Sequence, residues 1–167
     1  MTELTLFEQL LEAARIERER VARGRNHVNR DELEVELNQM GYMRWYLHPA
    51  LEEPSTRALY FFELEVPKGS RSGLMQHQGG VIHFVLEGSG WTEYEGGQHQ
   101  WEAGDVIALP IREAGIEFRH HNTGLAPARI LVTWPNFDSA NGPEAGVLMR
   151  VVENCPEWDA AEAAKAT

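Results

Sequence analysis

The chain has 167 residues, 43% hydrophobic and 25% charged, the balance of one globular domain with a core and not of a disordered segment. Its formal net charge of -11 repels nucleic-acid phosphates and anionic lipid heads, so neither is expected as a partner. The one cysteine, Cys155, excludes an intrachain disulfide and fits a cytoplasmic setting, with a structural role expected for the thiol. The first twenty residues lack a basic segment ahead of an apolar run, so no signal peptide is expected, and no stretch approaches the ~18 apolar residues of a membrane span.

In chain order, residues 2–23 read as a helix: Leu4, Phe7, Leu10, Leu11 and Ala14 recur at three- and four-residue steps on one face. Thr2 or Thr5 is its candidate cap, and Gly24 ends it. Its apolar face suits either a dimer contact or packing on the chain's own body. Residues 31–40 are expected as a second short helix before Gly41. From Tyr42 the pattern becomes strand-like. MRWYLHPAL is followed by ALYFFELEV, which alternates through Phe62, Leu64 and Val66. Apolar runs then alternate with glycine turns at Gly88–Gly90, Gly96–Gly97 and Gly104–Asp105, and ARILVTW and GVLMRVVE supply later strands. Short strands with turn signals every ~8–12 residues imply an all-β sandwich or barrel. The last residues, EWDAAEAAKAT, read as a frayed helical tail.

Between Gly69 and Asn122 the sequence resembles the cupin superfamily. Gly69 and Gly88 fit both ends of the first cupin motif, G-x5-H-x-H-x3-4-E-x6-G, and His77 falls on its second histidine. FVLEGSG (residues 84–90) is cupin-like as well. Gly104 and Pro110 fit the first half of the second motif, G-x5-P-x-G-x2-H-x3-N. The resemblance implies an all-β fold, a cupin-type double-stranded β-helix or jelly-roll barrel. The expected division is an N-terminal helical extension over 1–41, the barrel over 42–155 and a C-terminal tail over 156–167. The motif's metal positions are altered: Met75 replaces the first histidine, Val81 the glutamate, and the third histidine falls on Phe118 if Asn122 is the motif asparagine, or on His120 or His121 if the 111–118 loop is longer. Met75 is expected as a packed apolar side chain.

With His77 inward, strand alternation places His83 inward too, and His120 shares a face with Phe118 and Asn122 while His121 points away. The candidate metal set is His77, His83 and His120, with His121 standing in for His120 if a bulge shifts the register. Three imidazoles suit a divalent transition metal, Fe(II) or else Zn, Mn, Ni or Cu, and leave positions open for substrate and dioxygen or water. In gentisate-type dioxygenases, which the chain resembles here, a basic residue before FVLEG binds the substrate carboxylate, so His83 is also a candidate catalytic and substrate contact. One of Arg44 and Tyr46, which share a face, is a further substrate-contact candidate, the alternative being Arg44 at the surface and the aromatics in barrel packing; Phe118 is another candidate. His27, His48 and His99 are expected at the surface or in loops, and Trp91, Trp101 and Trp134 in the core or an interface. The leading functional expectation is a metal-dependent dioxygenase-like enzyme acting on a small aromatic or carboxylate-bearing molecule. The alternatives are a metal-free isomerase or lyase using histidine as general base, and a binding or sensing module that turns nothing over. A homodimer is what the resemblance implies for assembly.

Overall fold

A computed structural model describes residues 4–141 and 149–166. Helix α1 (Leu6–Arg23) starts at Thr5, whose hydroxyl accepts the Glu8 N–H while the Glu8 carboxylate accepts the Thr5 N–H, a reciprocal cap. The other cap candidate, Thr2, lies outside the described residues. No residue of α1 is buried. The Arg20 guanidinium ties the helix to the body by donating to the Pro54 and Ser55 carbonyls, while Phe7, Leu10 and Leu11 stay exposed.

The expected second helix does not form. Arg30–Glu32 makes one 3-10 turn, and β1 (Glu36–Asn38) then pairs antiparallel with β2 (Gly41–Leu47). The reason is visible in the residues: Glu32 to Asn38 alternates polar and apolar at period two, which suits a strand and not a helix. The sheet therefore begins before residue 42.

The remaining strands are β3 (Leu59–Val66), β4 (Leu74–His77), β5 (Ile82–Glu87), β6 (Ser89–Tyr94), β7 (Gly97–Glu102), β8 (Val106–Ala108), β9 (Ile116–Asn122), β10 (Ala128–Pro135) and β11 (Arg150–Glu153). Residues 146–148 of the expected GVLMRVVE strand lie outside the described residues. The strands form two antiparallel sheets, ordered β1-β2-β3-β10-β5-β8 and β11-β4-β9-β6-β7. Between them lies one core built from alternate residues: Phe62, Leu64 and Val66 of β3, Val85 of β5, Ile116 and Phe118 of β9, and Ile130, Val132 and Trp134 of β10. This is the expected jelly-roll barrel.

On the outer face of the first sheet Glu63 is fully buried. Burial alone would raise its carboxyl, but hydrogen bonds from Arg30 and Arg129 reverse that and hold it at about 2. Arg44 joins the same carboxylate at 3.1 Å. The segment after α1 is thus strapped across the sheet by a charged cluster.

The tail is anchored and not frayed. Helix α2 (Pro156–Lys165) follows Cys155, whose N–H donates to the Gln39 carbonyl at 2.8 Å and whose thiol lies 3.4 Å from the Asn38 carbonyl. The Ser70 hydroxyl donates to Glu157 at 2.6 Å.

Candidate active site

His77, His83 and His120 all lie in the barrel interior, 1%, 0% and 0% exposed. They come from the ends or middles of β4, β5 and β9, where pleat alternation turns each side chain inward beside Met75, Val85 and Phe118. The rings of His83 and His120 meet edge to face at 4.7 Å, and Phe118 sits 5.2 Å from His83 and 5.6 Å from His120. His77 packs instead against Trp134, 5.2 Å away on β10.

The ring nitrogens define what this interior can do. The Gly79 N–H donates to His77 Nδ1 at 3.2 Å, so neutral His77 carries its proton on Nε2. The Thr92 hydroxyl lies 2.7 Å from His120 Nδ1 and accepts the Trp101 indole N–H at 3.0 Å. Every proton in that relay is used when Trp101 donates to Thr92 and Thr92 to His120, an assignment inferred from satisfaction that leaves His120 protonated on Nε2. His77 Nε2, His120 Nε2, both nitrogens of His83 and the Trp134 indole nitrogen are buried without a hydrogen-bond partner. A group of orphaned polar atoms this dense in one interior is unusual and points to a polar occupant.

Burial suppresses the charge on all three rings. It pushes His77 down to about 4. It pushes His120 down to about 3, helped by repulsion from His121. His83 falls well below the ordinary 6.5 through burial, then through repulsion from His120 and His77, opposed by a weaker interaction with the Ile107 backbone. All three are neutral at pH 7.

The other candidates lie elsewhere. His121 faces outward, stacked on Trp91 at 3.8 Å and 3.2 Å from the Glu93 carboxylate, so it does not replace His120. Arg44 and Tyr46 do not enter the barrel. They alternate with the inward Met43 and Trp45, so Arg44 meets Glu63 and Glu65 on the outer face, and Tyr46 stacks near Phe61 and lines an outer cleft of about 620 Å3. Asn122 is a staple: its amide donates to the Val66, Pro67 and Ala126 carbonyls. Thr92, Trp101 and Trp134 are the polar participants that sequence reading assigned to packing or passed over. The inward alternation of β6 was the available signal for Thr92.

The segment between β8 and β9 covers this end of the barrel. Arg112 N–H donates to the Gln78 carbonyl at 2.9 Å and Leu109 N–H to the Val81 carbonyl at 3.1 Å. Glycine is required at Gly79, where φ is +147° and a Cβ would stand 2.4 Å from the Ile111 Cα.

These residues do not fit the metal that the motif implies. Met75 and Phe118, at two of its ligand positions, are both buried and are cross-strand partners. A ligating histidine presents a lone pair and donates from its other nitrogen, whereas His77 accepts on Nδ1 and holds a proton on Nε2. Among the described residues no three His, Cys, Asp or Glu side chains are grouped so as to hold a metal ion.

Residues 62–134 match the family model described as Cupin domain. The chain has the cupin fold. Solved cupin-fold structures agree with it over most of the barrel. The polyketide cyclase RemF from Streptomyces resistomycificus is 18% identical with a TM-score of 0.58, over 77% of this chain and 85% of that one. A predicted oxalate decarboxylase from Thermotoga maritima is 25% identical with a TM-score of 0.51, over 64% and 96%. A variant of salicylate 1,2-dioxygenase from Pseudoaminobacter salicylatoxidans is 12% identical with a TM-score of 0.52, over 66% and 30%. No curated protein matches the sequence. No described helix is long and apolar enough to cross a membrane.

Proposed function

We propose that this cupin encloses a small molecule in its barrel and acts on it by proton transfer without a metal, as an isomerase, lyase or cyclase does. The observation that carries this reading is the set of three buried neutral histidines with open ring nitrogens and no three-ligand grouping. In such a site the His83 lone pair takes a proton from a carbon next to a carbonyl. The electron pair moves to the carbonyl oxygen, and the developing oxyanion receives the Nε2–H of His120, whose ring touches His83. Return of the proton to a different carbon gives isomerisation, and departure of a β-substituent gives elimination. The depressed basicity of His83 restricts it to acidified C–H bonds of this kind. The structural likeness to a polyketide cyclase is compatible with carbonyl chemistry.

The second reading is a gentisate-type dioxygenase using Fe(II) or another divalent transition metal. It is favoured by His83 standing where that family places a basic residue before FVLEG. Metal analysis of untagged protein separates the two, alongside His77→Ala. Protein that stays metal-free after anaerobic Fe(II) reconstitution supports proton transfer. Near-stoichiometric metal that disappears in the variant, with oxygen uptake on aromatic acids, refutes it. The unpacked apolar stripe of α1 supports a homodimer, and the acidic surface supports a small-molecule partner over nucleic acid or membrane.

A further inference from the structure

One end of the barrel holds a half-open pocket of about 140 Å3 lined mainly by Met40, Met43, Met75, Met149, Phe62 and Trp134. An apolar cavity of ~150 Å3 accepts a benzene ring, and four thioethers let this one adjust its shape. Trp134 links the cavity to the site: its ring forms part of the wall and meets His77 at 5.2 Å. Trp134 is 3% exposed, its indole N–H has no acceptor, and an indole nitrogen only donates. His77 Nε2, 1% exposed and also without a partner, carries a proton because Nδ1 accepts from Gly79. Two touching rings therefore present donors and no acceptor, a combination that repels a cation and calls for an oxygen.

We infer that Trp134 and His77 form a donor pair for the carbonyl or carboxylate oxygen of a ring-sized ligand whose apolar body fills the methionine-walled cavity. The inference rests on the metal-free reading of the barrel and adds where the ligand's head and body sit. It assigns Trp134 a binding role that its neighbours alone do not require, since Tyr60 and Phe62 already pack on its faces and edge.

The test is a titration of the full-length, 15N-labelled protein with sodium benzoate, toluene and benzylammonium, following the indole N–H signals of its five tryptophans. Trp134→Phe assigns the Trp134 signal and supplies a variant that keeps an aromatic wall. Benzoate is expected to move the Trp134 indole proton downfield and leave Trp158, on the C-terminal helix, unmoved. In the variant, benzoate binding weakens about ten- to hundredfold, the range of one hydrogen bond to a charged group, while toluene binding is unchanged. The ring 15N shifts of His77 are expected to report a proton on Nε2. The proposal is overturned if benzoate leaves the Trp134 signal in place, as a permanently buried water between the donors would require. It is equally overturned if benzylammonium moves that signal as benzoate does, or if His77 carries its proton on Nδ1. Should Trp134→Phe fail to fold, the wild-type titration and the His77 tautomer decide alone. Bound metal held by His77 removes both this inference and the metal-free function. Benzoate silence in metal-free protein removes only the inference.

Discussion

Acid should destabilise this protein in a window where Glu63 is still ionised. His77, His83 and His120 have folded-state pKa values depressed by burial, so the unfolded chain binds more protons than the folded one once the pH drops below 6.5. The stability they confer is complete above 6.5. It is lost as the pH falls, through about 4 for His77 and about 3 for His120. Between pH 7 and pH 5 the loss depends on the unfolded value almost alone, because at pH 5 each folded ring is still mostly neutral. Each histidine then contributes about 2 kcal/mol of destabilisation, and the three together ~6 kcal/mol, a large share of an ordinary domain's stability of ~5–15 kcal/mol. Glu63, held at about 2, does not titrate in that range. Urea unfolding at pH 7, 6 and 5 should show the midpoint falling steadily, and replacing His120 by Phe should remove about a third of the fall. A free energy of unfolding that stays flat from pH 7 to 5 would refute the picture of three buried neutral imidazoles.

Two further outcomes follow from the same structure. Thr92→Val keeps the shape of the side chain but strands the Trp101 N–H and His120 Nδ1, and should lower stability by about 2–4 kcal/mol in denaturant titrations; a loss under 1 kcal/mol would show that the relay is not formed. Light scattering should give about twice the 18.9 kDa chain mass, reverting to monomer in a Phe7→Glu, Leu10→Glu variant, whereas a monomeric wild type at micromolar concentration would dismiss the homodimer.

Much of the barrel could be read from the sequence because strand alternation and glycine turns are local signals. Phe62, Leu64 and Val66 face inward as the pattern of β3 implies, and His77, His83 and His120 all turn inward because period two is rigid once one inward residue is known. Arg44 and Tyr46 went astray for lack of such an anchor: β2 offers Met43 and Trp45 as an equally apolar alternative face, and only pairing with β3 decides between them. The helix expected at 31–40 gave too much weight to the helix-forming glutamates and leucines and too little to their strict alternation. Nothing local marked the protonation pattern of His77, which is set by a backbone N–H two residues on, or the partnership of Thr92 with Trp101, which depends on the β6–β7 hairpin register.

The contact between Cys155 and the β1–β2 hairpin spans 117 residues of chain. That separation has a bearing on how the barrel is made. Loop closure of this length is entropically slow to find, and contacts of such high order delay folding. During synthesis the hairpin at Asn38 and Gln39 would therefore emerge long before the segment that seals it, leaving the methionine-walled end of the barrel open until residues near Cys155 arrive. A ligand present at that moment would meet the cavity before its rim has closed.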